Sequence, residues 1–216
     1  NVVYKGKDMG RFSIGLFGSY NLANALSVIA VAIHESLNIT SLAEGLTTFK
    51  GMKRRQEIKG VYNTVTIIDD FAHHPTAVRE TLRGIREHFP TQRILAIFEP
   101  RSNTSRKKMF EHEYGHAFTS VDGLILSMPT LRHNDNPEDF IDGKVVISDA
   151  LQFSSNNSLK NIMNNDFYTV CVSHADEVIQ KIPEFIRKGD VLVVMSNGSF
   201  DGIHEKLADA VESIVW

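Results

Sequence analysis

The sequence predicts an α/β fold built on a mostly parallel sheet, and three observations carry that prediction. Strand-length apolar runs at 65–68, 94–98, 123–127, 168–172 and 191–195 alternate with segments of helical periodicity. The runs are continuously apolar, as in strands buried on both faces. Three of them end in turns rich in polar residues, Gly and Pro, where open α/β sheets hold their ligands.

Taken in order, residues 1–17 read as two short strands, 2–5 and 11–17, joined by the turn-rich 6–10. Asn21 opens a helix whose apolar positions Leu22, Leu26, Ile29, Ile33 and Leu37 form one continuous buried stripe. A second helix, 41–49, takes Thr40 or Ser41 as N-cap, with Glu44 completing a capping box. Gly51 marks a boundary, followed by the basic cluster Lys53-Arg54-Arg55 and a hairpin, 57–62 and 64–68, turning at Asn63. From Pro75 a helix runs to about residue 88 with Val78, Leu82, Ile85 and Phe89 on one face. Strand 94–98, helix 107–120, strand 123–127 and a further strand at 144–147 follow. A helix over 149–164 is interrupted by Ser154-Ser-Asn-Asn-Ser158. Strand 168–172, helix 175–187, strand 191–195 and helix 203–214 complete the chain.

Of the 216 residues, 42% are apolar and 23% charged, ordinary for a globular protein. The net charge of −3 gives no reason to expect nucleic acid or an anionic membrane surface as partner. The longest apolar run, 25–33, is too short to span a bilayer and is stopped by His34 and Glu35. No charged segment followed by an apolar one opens the chain, so no secretion signal is expected. The single cysteine, Cys171, lies in a strand-like run and is expected to be buried; with no disulfide possible within the chain, a cytoplasmic location is expected. The opening residues 1–5 enter strand-like sequence directly, as in a segment of something longer.

Four constellations carry chemistry. The richest is Asp69-Asp70-Phe71-Ala72-His73-His74-Pro75, where a strand ends in two carboxylates and two imidazoles. Its plainer reading has the aspartates capping a helix and the histidines in solvent. His112-Glu113-Tyr114-Gly115-His116 matches the zinc-protease pattern, but Gly115 weakens the helix, and Thr119 and Asp122 stand where the extended form needs Gly and His. The alternative there is a surface helix with outward histidines and Phe110, Ala117, Phe118 and Val121 packed inward. Glu99-Pro100-Arg101-Ser102-Asn103-Thr104 offers a guanidinium fork beside neutral donors, although Ser102 or Thr104 can equally cap the next helix. Ser196-Asn197-Gly198-Ser199-Phe200-Asp201-Gly202 joins the last strand to the last helix and lets the backbone approach a ligand closely. In a parallel sheet the turns at 69–76, 99–104 and 196–202 all open on one edge. That geometry assigns Arg101, Ser102, Asn103, Ser196, Asn197 and Gly198 to substrate. The chain has neither a Gly-x-x-x-x-Gly-Lys-Ser/Thr phosphate loop nor a Gly-x-Gly-x-x-Gly fingerprint, so a main phosphate cradle is not in it.

Three ordered motifs carry a family resemblance over nearly the whole chain: Gly18-Ser-Tyr-Asn21-Leu-Ala-Asn24-Ala25, Arg54-Arg55-Gln-Glu57 and Asp69-Asp70-Phe-Ala-His73-His74-Pro75. Together they resemble the Mur ligases, ATP-dependent amide-forming enzymes of peptidoglycan synthesis. Within that family, Glu-Pro-Arg-Ser-Asn-Thr and Ser-Asn-Gly-x-Phe-x-Gly-Ile-His-x-Lys-Leu are most similar to the member that recycles cell-wall tripeptide by joining it to UDP-N-acetylmuramate. The rival is the member that adds L-alanine to the same nucleotide sugar, which usually has tyrosine and glycine where Phe71 and Ala72 stand. The resemblance implies that residues 1–50 end a central ATPase domain and 51–216 form a Rossmann-like C-terminal ligase domain, inactive alone. ATP and Mg2+ are the implied cofactors, with the magnesium ligands outside this chain. It further implies that Asn21 and Asn24 contact adenine, that Arg55 and Asp70 engage ribose and phosphates, and that His73 sits at the edge of the catalytic site. The family usually has histidine before the first asparagine; this chain has Tyr20. Residues 130–165 match no motif.

Overall fold

A computed structural model of the chain describes residues 1–128, 131, 133–155 and 167–216. They divide into two units, Asn1–Met52 and Lys53–Trp216.

The first unit opens on an antiparallel hairpin, β1 (Val2–Tyr4) and β2 (Lys7–Gly10). The second strand expected at 11–17 is not there. Lys5 and Gly6 take φ of 48° and 77°, so the chain turns in two left-handed residues and pairing resumes at Lys7. Helix α1 (Ser19–His34) packs on α2 (Ile39–Thr48). The apolar stripe of α1 is not continuously buried. Ile29 and Ala32 are 3% and 2% exposed, whereas Leu22, Leu26 and Leu37 are 61%, 53% and 57% exposed. Burial within α1 is thus confined to Ile29 and Ala32, while Leu22 and Leu26, nearer the helix start on the same stripe as Ile29, remain exposed. The N-cap of α2 is Asn38, whose side chain accepts the Ser41 N–H at 3.0 Å, so neither Thr40 nor Ser41 caps it.

The second unit is a six-stranded sheet of order β3-β4-β8-β5-β6-β7. Edge strand β3 (Glu57–Tyr62) runs antiparallel to β4 (Val65–Asp70) across a turn in which Asn63 and Thr64 are both left-handed. The rest is parallel: β4, β8 (Val191–Ser196), β5 (Ile94–Glu99), β6 (Gly123–Ser127) and β7 (Tyr168–Val172). Helix α3 (Pro75–His88) packs on α4 (Glu111–Ala117), and α4 on α5 (Gly143–Ser155), over one face. Phe98 meets Tyr114 and Phe118 there, with ring centroids 5.0 and 5.6 Å apart. Helices α6 (Ala175–Phe185) and α7 (Ile203–Glu212) cover the other face, where Val178, Ile182, Ile203, Leu207 and Val211 pack on Val65, Ile67, Leu95, Ile97, Leu192 and Val194. Each of these eleven side chains is almost wholly buried, the arrangement expected of continuously apolar strands.

Three sequence expectations need correction in this unit. Residues 144–147 are not a strand but the first turn of α5. Val146 and Ala150, four apart and fully buried, supply the helical face, and a four-residue apolar run fits either element. Gly143 lets that helix begin close to its neighbours, since a Cβ there would lie 2.4 Å from the Met128 sulfur and 2.7 Å from the Cys171 sulfur. The rest of the helix expected over 149–164 lies outside the described residues. The helix expected over 107–120 shrinks to a 3₁₀ turn, Lys108–Phe110, followed by α4. Cys171 is exposed, because β7 is the sheet edge rather than its centre. No described helix is long and apolar enough to cross a membrane.

Candidate active site

Parallel pairing brings the carboxyl ends of β4, β8 and β5 level: Asp70 lies beside Met195, and Glu99 beside Ser196. The turns expected to share one edge therefore do so. Side-chain alternation then sends the two aspartates of β4 to opposite faces. Asp70 points toward α3, where it is 2% exposed and its oxygens are occupied. Oδ2 accepts the Gln56 N–H at 2.8 Å; Oδ1 accepts the Ala72 N–H at 2.8 Å and the Thr81 hydroxyl at 3.4 Å. Burial raises its carboxyl above the ordinary range, partly opposed by these bonds and by Arg55. Asp69, 4% exposed, points toward α7, with Oδ1 3.1 Å from His204 Nε2 and Oδ2 3.6 Å from Arg54 Nε. Neither aspartate caps α3, whose N-cap is His74. Arg55 is exposed, with its guanidinium 5.2 Å from the Phe71 ring centroid. His73 is half-buried. Its Nδ1 donates to Phe71 O at 3.0 Å and its own carbonyl accepts the Tyr114 hydroxyl at 2.5 Å. His74 is exposed against Phe110.

The ends of β5, β6, β7 and β8 surround a cleft of about 300 Å³ lined by Glu99, Arg101, Arg106, Ser127, Ser173, His174 and Asp201, with Phe200 behind. Arg101 is half exposed, 3.9 Å from Glu99. Glu99 accepts the Ser196 hydroxyl at 2.5 Å, and burial lifts its carboxyl above the usual range. Arg106 is almost buried, paired to Asp135 at 2.8 Å and lying 4.5 Å over the Phe140 ring. A segment from the unmatched region 130–165 thus forms the back of one cleft wall, joined also by Ile141 N–H to Arg106 O at 2.9 Å.

Of the residues assigned to substrate, only Arg101 lines this cleft. Ser102 instead caps a turn, its Oγ accepting the Ser105 N–H at 2.9 Å, and Asn103 is exposed beside it. Ser196 is buried and organises its own turn, accepting the Gly198 N–H at 2.9 Å. Gly198 underlies Arg101: a Cβ there would fall 2.4 Å from Arg101 Cδ. Asn197 Oδ1 is buried and has no hydrogen-bond donor among the described residues. Sequence reasoning gave no role to Glu99, Arg106, His174 or Asp201. Glu99 and Asp201 stand inside the quoted motifs, whereas Arg106 and His174 are brought in only by the fold.

In the first unit, Asn21 and Asn24 line a mainly apolar cavity of about 410 Å³ with Ile14, Leu16, Leu42 and Phe49. Asn21 donates from Nδ2 to Phe17 O at 2.8 Å. An apolar slot edged by two amides suits a flat heteroaromatic base.

The zinc-protease pattern finds other employment on α4. His112 pairs with Asp149 at 2.7 Å, His116 stacks on Phe153 at 3.6 Å, and Glu113 is exposed. Gly115 is required by packing, since a Cβ would lie 2.3 Å from that of Asp149. Among the described residues no three His, Cys, Asp or Glu side chains converge as a metal site.

Residues 54–198 match the family described as Mur ligase, glutamate ligase domain. The chain is 29% identical over 208 residues to a UDP-N-acetylmuramate–L-alanine ligase of Desulforapulum autotrophicum, covering 96% of this chain and 43% of that protein. It is 42% identical over 127 residues to the enzyme of the same name from Lactobacillus acidophilus, 59% of this chain and 29% of that protein. A crystal structure of a murein peptide ligase from Psychrobacter arcticus superposes with a TM-score of 0.62 at 31% identity, over 95% of this chain and 39% of that one. The chain thus spans less than half the length of these relatives. With the family match extending over well more than half its residues, the chain belongs to the Mur ligase family, and 54–198 are its glutamate ligase domain.

Proposed function

We propose that this chain is the C-terminal part of an ATP-dependent ligase that joins the cell-wall tripeptide L-alanyl-γ-D-glutamyl-meso-diaminopimelate to UDP-N-acetylmuramate. The observation that carries this reading is the charge pattern of the strand-end cleft. Arg101, Arg106 and His174 face Glu99 and Asp201 across about 300 Å³. Guanidinium forks match carboxylates and the acidic side chains match ammonium groups. A diaminopimelate terminus carries both groups in addition to the reacting amine; L-alanine has, beyond its reacting amine, one carboxylate and a methyl.

In the proposed reaction ATP phosphorylates the lactyl carboxylate of the muramic acid. The tripeptide α-amine attacks the resulting acyl phosphate, and the tetrahedral intermediate collapses to amide with release of phosphate. Asn21 and Asn24 would hold the adenine edge, supported by the apolar slot they line. Arg55, exposed on the sheet edge, would engage ribose and phosphates. Asp70 would serve it from behind by fixing the neighbouring Gln56 N–H. His73, with Nδ1 committed to Phe71 O, has Nε2 to present at the site edge. The magnesium ligands would come from elsewhere in the longer enzyme. The chain alone would therefore be inactive, and its enzyme would work in the cytoplasm on soluble substrates.

A second reading, ligation of L-alanine, is supported by the names of the curated relatives. One assay separates the two. The full-length protein, with ATP and UDP-N-acetylmuramate, is offered tripeptide and L-alanine together, and product masses are read. Tripeptide adduct is expected; alanine adduct alone would establish the second reading.

A further inference from the structure

We infer that Arg54 is a positioning residue that couples the segment bearing Arg55 to the turn that shapes the amine cleft. The inference rests on the ligase reading above and adds to it a residue with no assigned part. Arg54 differs from its neighbour in where it points. Its backbone is left-handed, with φ of 58°, and is fixed on both sides: its N–H donates to Glu57 Oε2 at 2.8 Å and its carbonyl accepts the Phe71 N–H at 2.8 Å. The side chain then runs inward across the end of the sheet. Nη2 donates to two carbonyls, Ser196 O at 2.5 Å and Gly198 O at 2.7 Å. Nε faces Asp69 Oδ2 at 3.6 Å, and the guanidinium lies 5.0 Å from the Phe71 ring centroid.

Those two carbonyls bracket the turn after β8, and that turn lies directly against two residues that line the cleft, Glu99 and Arg101. Its Ser196 hydroxyl donates to Glu99, and its Gly198 lies directly under the Arg101 side chain. One guanidinium therefore stands one bond away from both an acidic and a basic group of the cleft. On its other side the next residue is Arg55, and the one after, Gln56, is held by Asp70. Asp69 makes the charge at position 54 necessary. Its carboxylate is 6% exposed by side chain, with His204 Nε2, 3.1 Å from Oδ1, as its other basic neighbour among the described residues, so removal of Arg54 leaves a buried anion under-compensated. Lysine does not replace this arrangement. A point ammonium cannot hold two carbonyls through one nitrogen while presenting a second to a carboxylate.

The test uses the full-length enzyme with Arg54→Lys and Arg54→Gln. Arg54→Lys is expected to raise the KM for the amine substrate about tenfold, as loss of a charged hydrogen bond on the binding path does, with kcat changed less than about threefold. A second arm needs no substrate. In labelled protein, Arg54→Lys should shift the Gly198 amide and the Arg101 Nε–H resonances while leaving those of α4 and α5 in place. If Arg54→Gln does not fold, Arg54→Lys carries both arms. An amine KM within twofold of wild type (about 0.4 kcal/mol) overturns the inference, as do unmoved Gly198 and Arg101 resonances. Failure of the wild-type enzyme to ligate any amine overturns the functional reading instead, and the resonances then still decide the linkage.

Discussion

Two strand ends lie on the same edge of the sheet and have opposite characters. At the end of β4, Asp70 is sealed by three hydrogen bonds and Asp69 sits between Arg54 and His204. At the end of β5, Glu99 and Arg101 open into a cleft, Glu99 held by the Ser196 hydroxyl and Arg101 half exposed. The stretch densest in titratable residues is thus braced within the protein, and the plainer turn is the one that opens into a cavity. A carboxylate whose lone pairs are taken by backbone N–H groups organises chain; one facing a cavity organises substrate.

The sharpest way to break this contrast is Asp70→Ala. It leaves the Gln56 and Ala72 N–H groups buried without acceptors, and about 1–3 kcal/mol for each predicts a loss of about 3 kcal/mol in urea unfolding. A loss under 1 kcal/mol would make β4's end as expendable as a surface turn. Arg101→Ala should do the reverse. Its half-exposed side chain contributes less than about 0.5 kcal/mol to stability, but the amine KM should rise about a hundredfold through loss of a charge-assisted pair.

Glu99→Gln sharpens the comparison further. Burial raises this carboxyl, so the folded protein holds the proton to higher pH than the unfolded chain does. The stability it contributes is therefore fully present in acid and is lost as pH rises through the raised value. Glu99→Gln should flatten that dependence in unfolding experiments followed against pH, and raise the amine KM about tenfold. Asp135→Asn weakens the restraint on Arg106 and should lower the KM for the tripeptide about threefold. The smallest effect belongs to His112→Ala. Asp149 raises the His112 imidazole, so any stabilisation from the pair is present below the ordinary histidine range and fades as pH rises through the raised value. The difference in thermal midpoint between wild type and variant should follow that course, with no change in metal content.

The parallel strands were legible because their buried faces demand unbroken apolar runs, and the shared edge of three turns follows from parallelism alone. What escaped the sequence has physical causes. Residues 144–147 hold too few apolar positions to show a period, and the helix start is marked instead by Asp142, whose Oδ1 accepts the Lys144 N–H at 2.8 Å, and by a glycine at 143 that its close neighbours require. Adjacent arginines look alike in sequence, yet left-handed backbone at Arg54 and Gln56 turns one inward and leaves the other in solvent. The cleft was legible through Arg101 and the quoted turns. Arg106 and His174 were not, because they reach it from β5–α4 and β7–α6 connections whose composition carries no motif.

The division of labour between the two strand ends is tested most directly by titrating the labelled protein with tripeptide and following backbone amides by NMR. Shifts concentrated at Arg101, Ser173, His174 and Asp201, with Asp69 to His73 following only weakly, are predicted. Shifts centred on residues 69–75, with the cleft residues unmoved, would contradict the account.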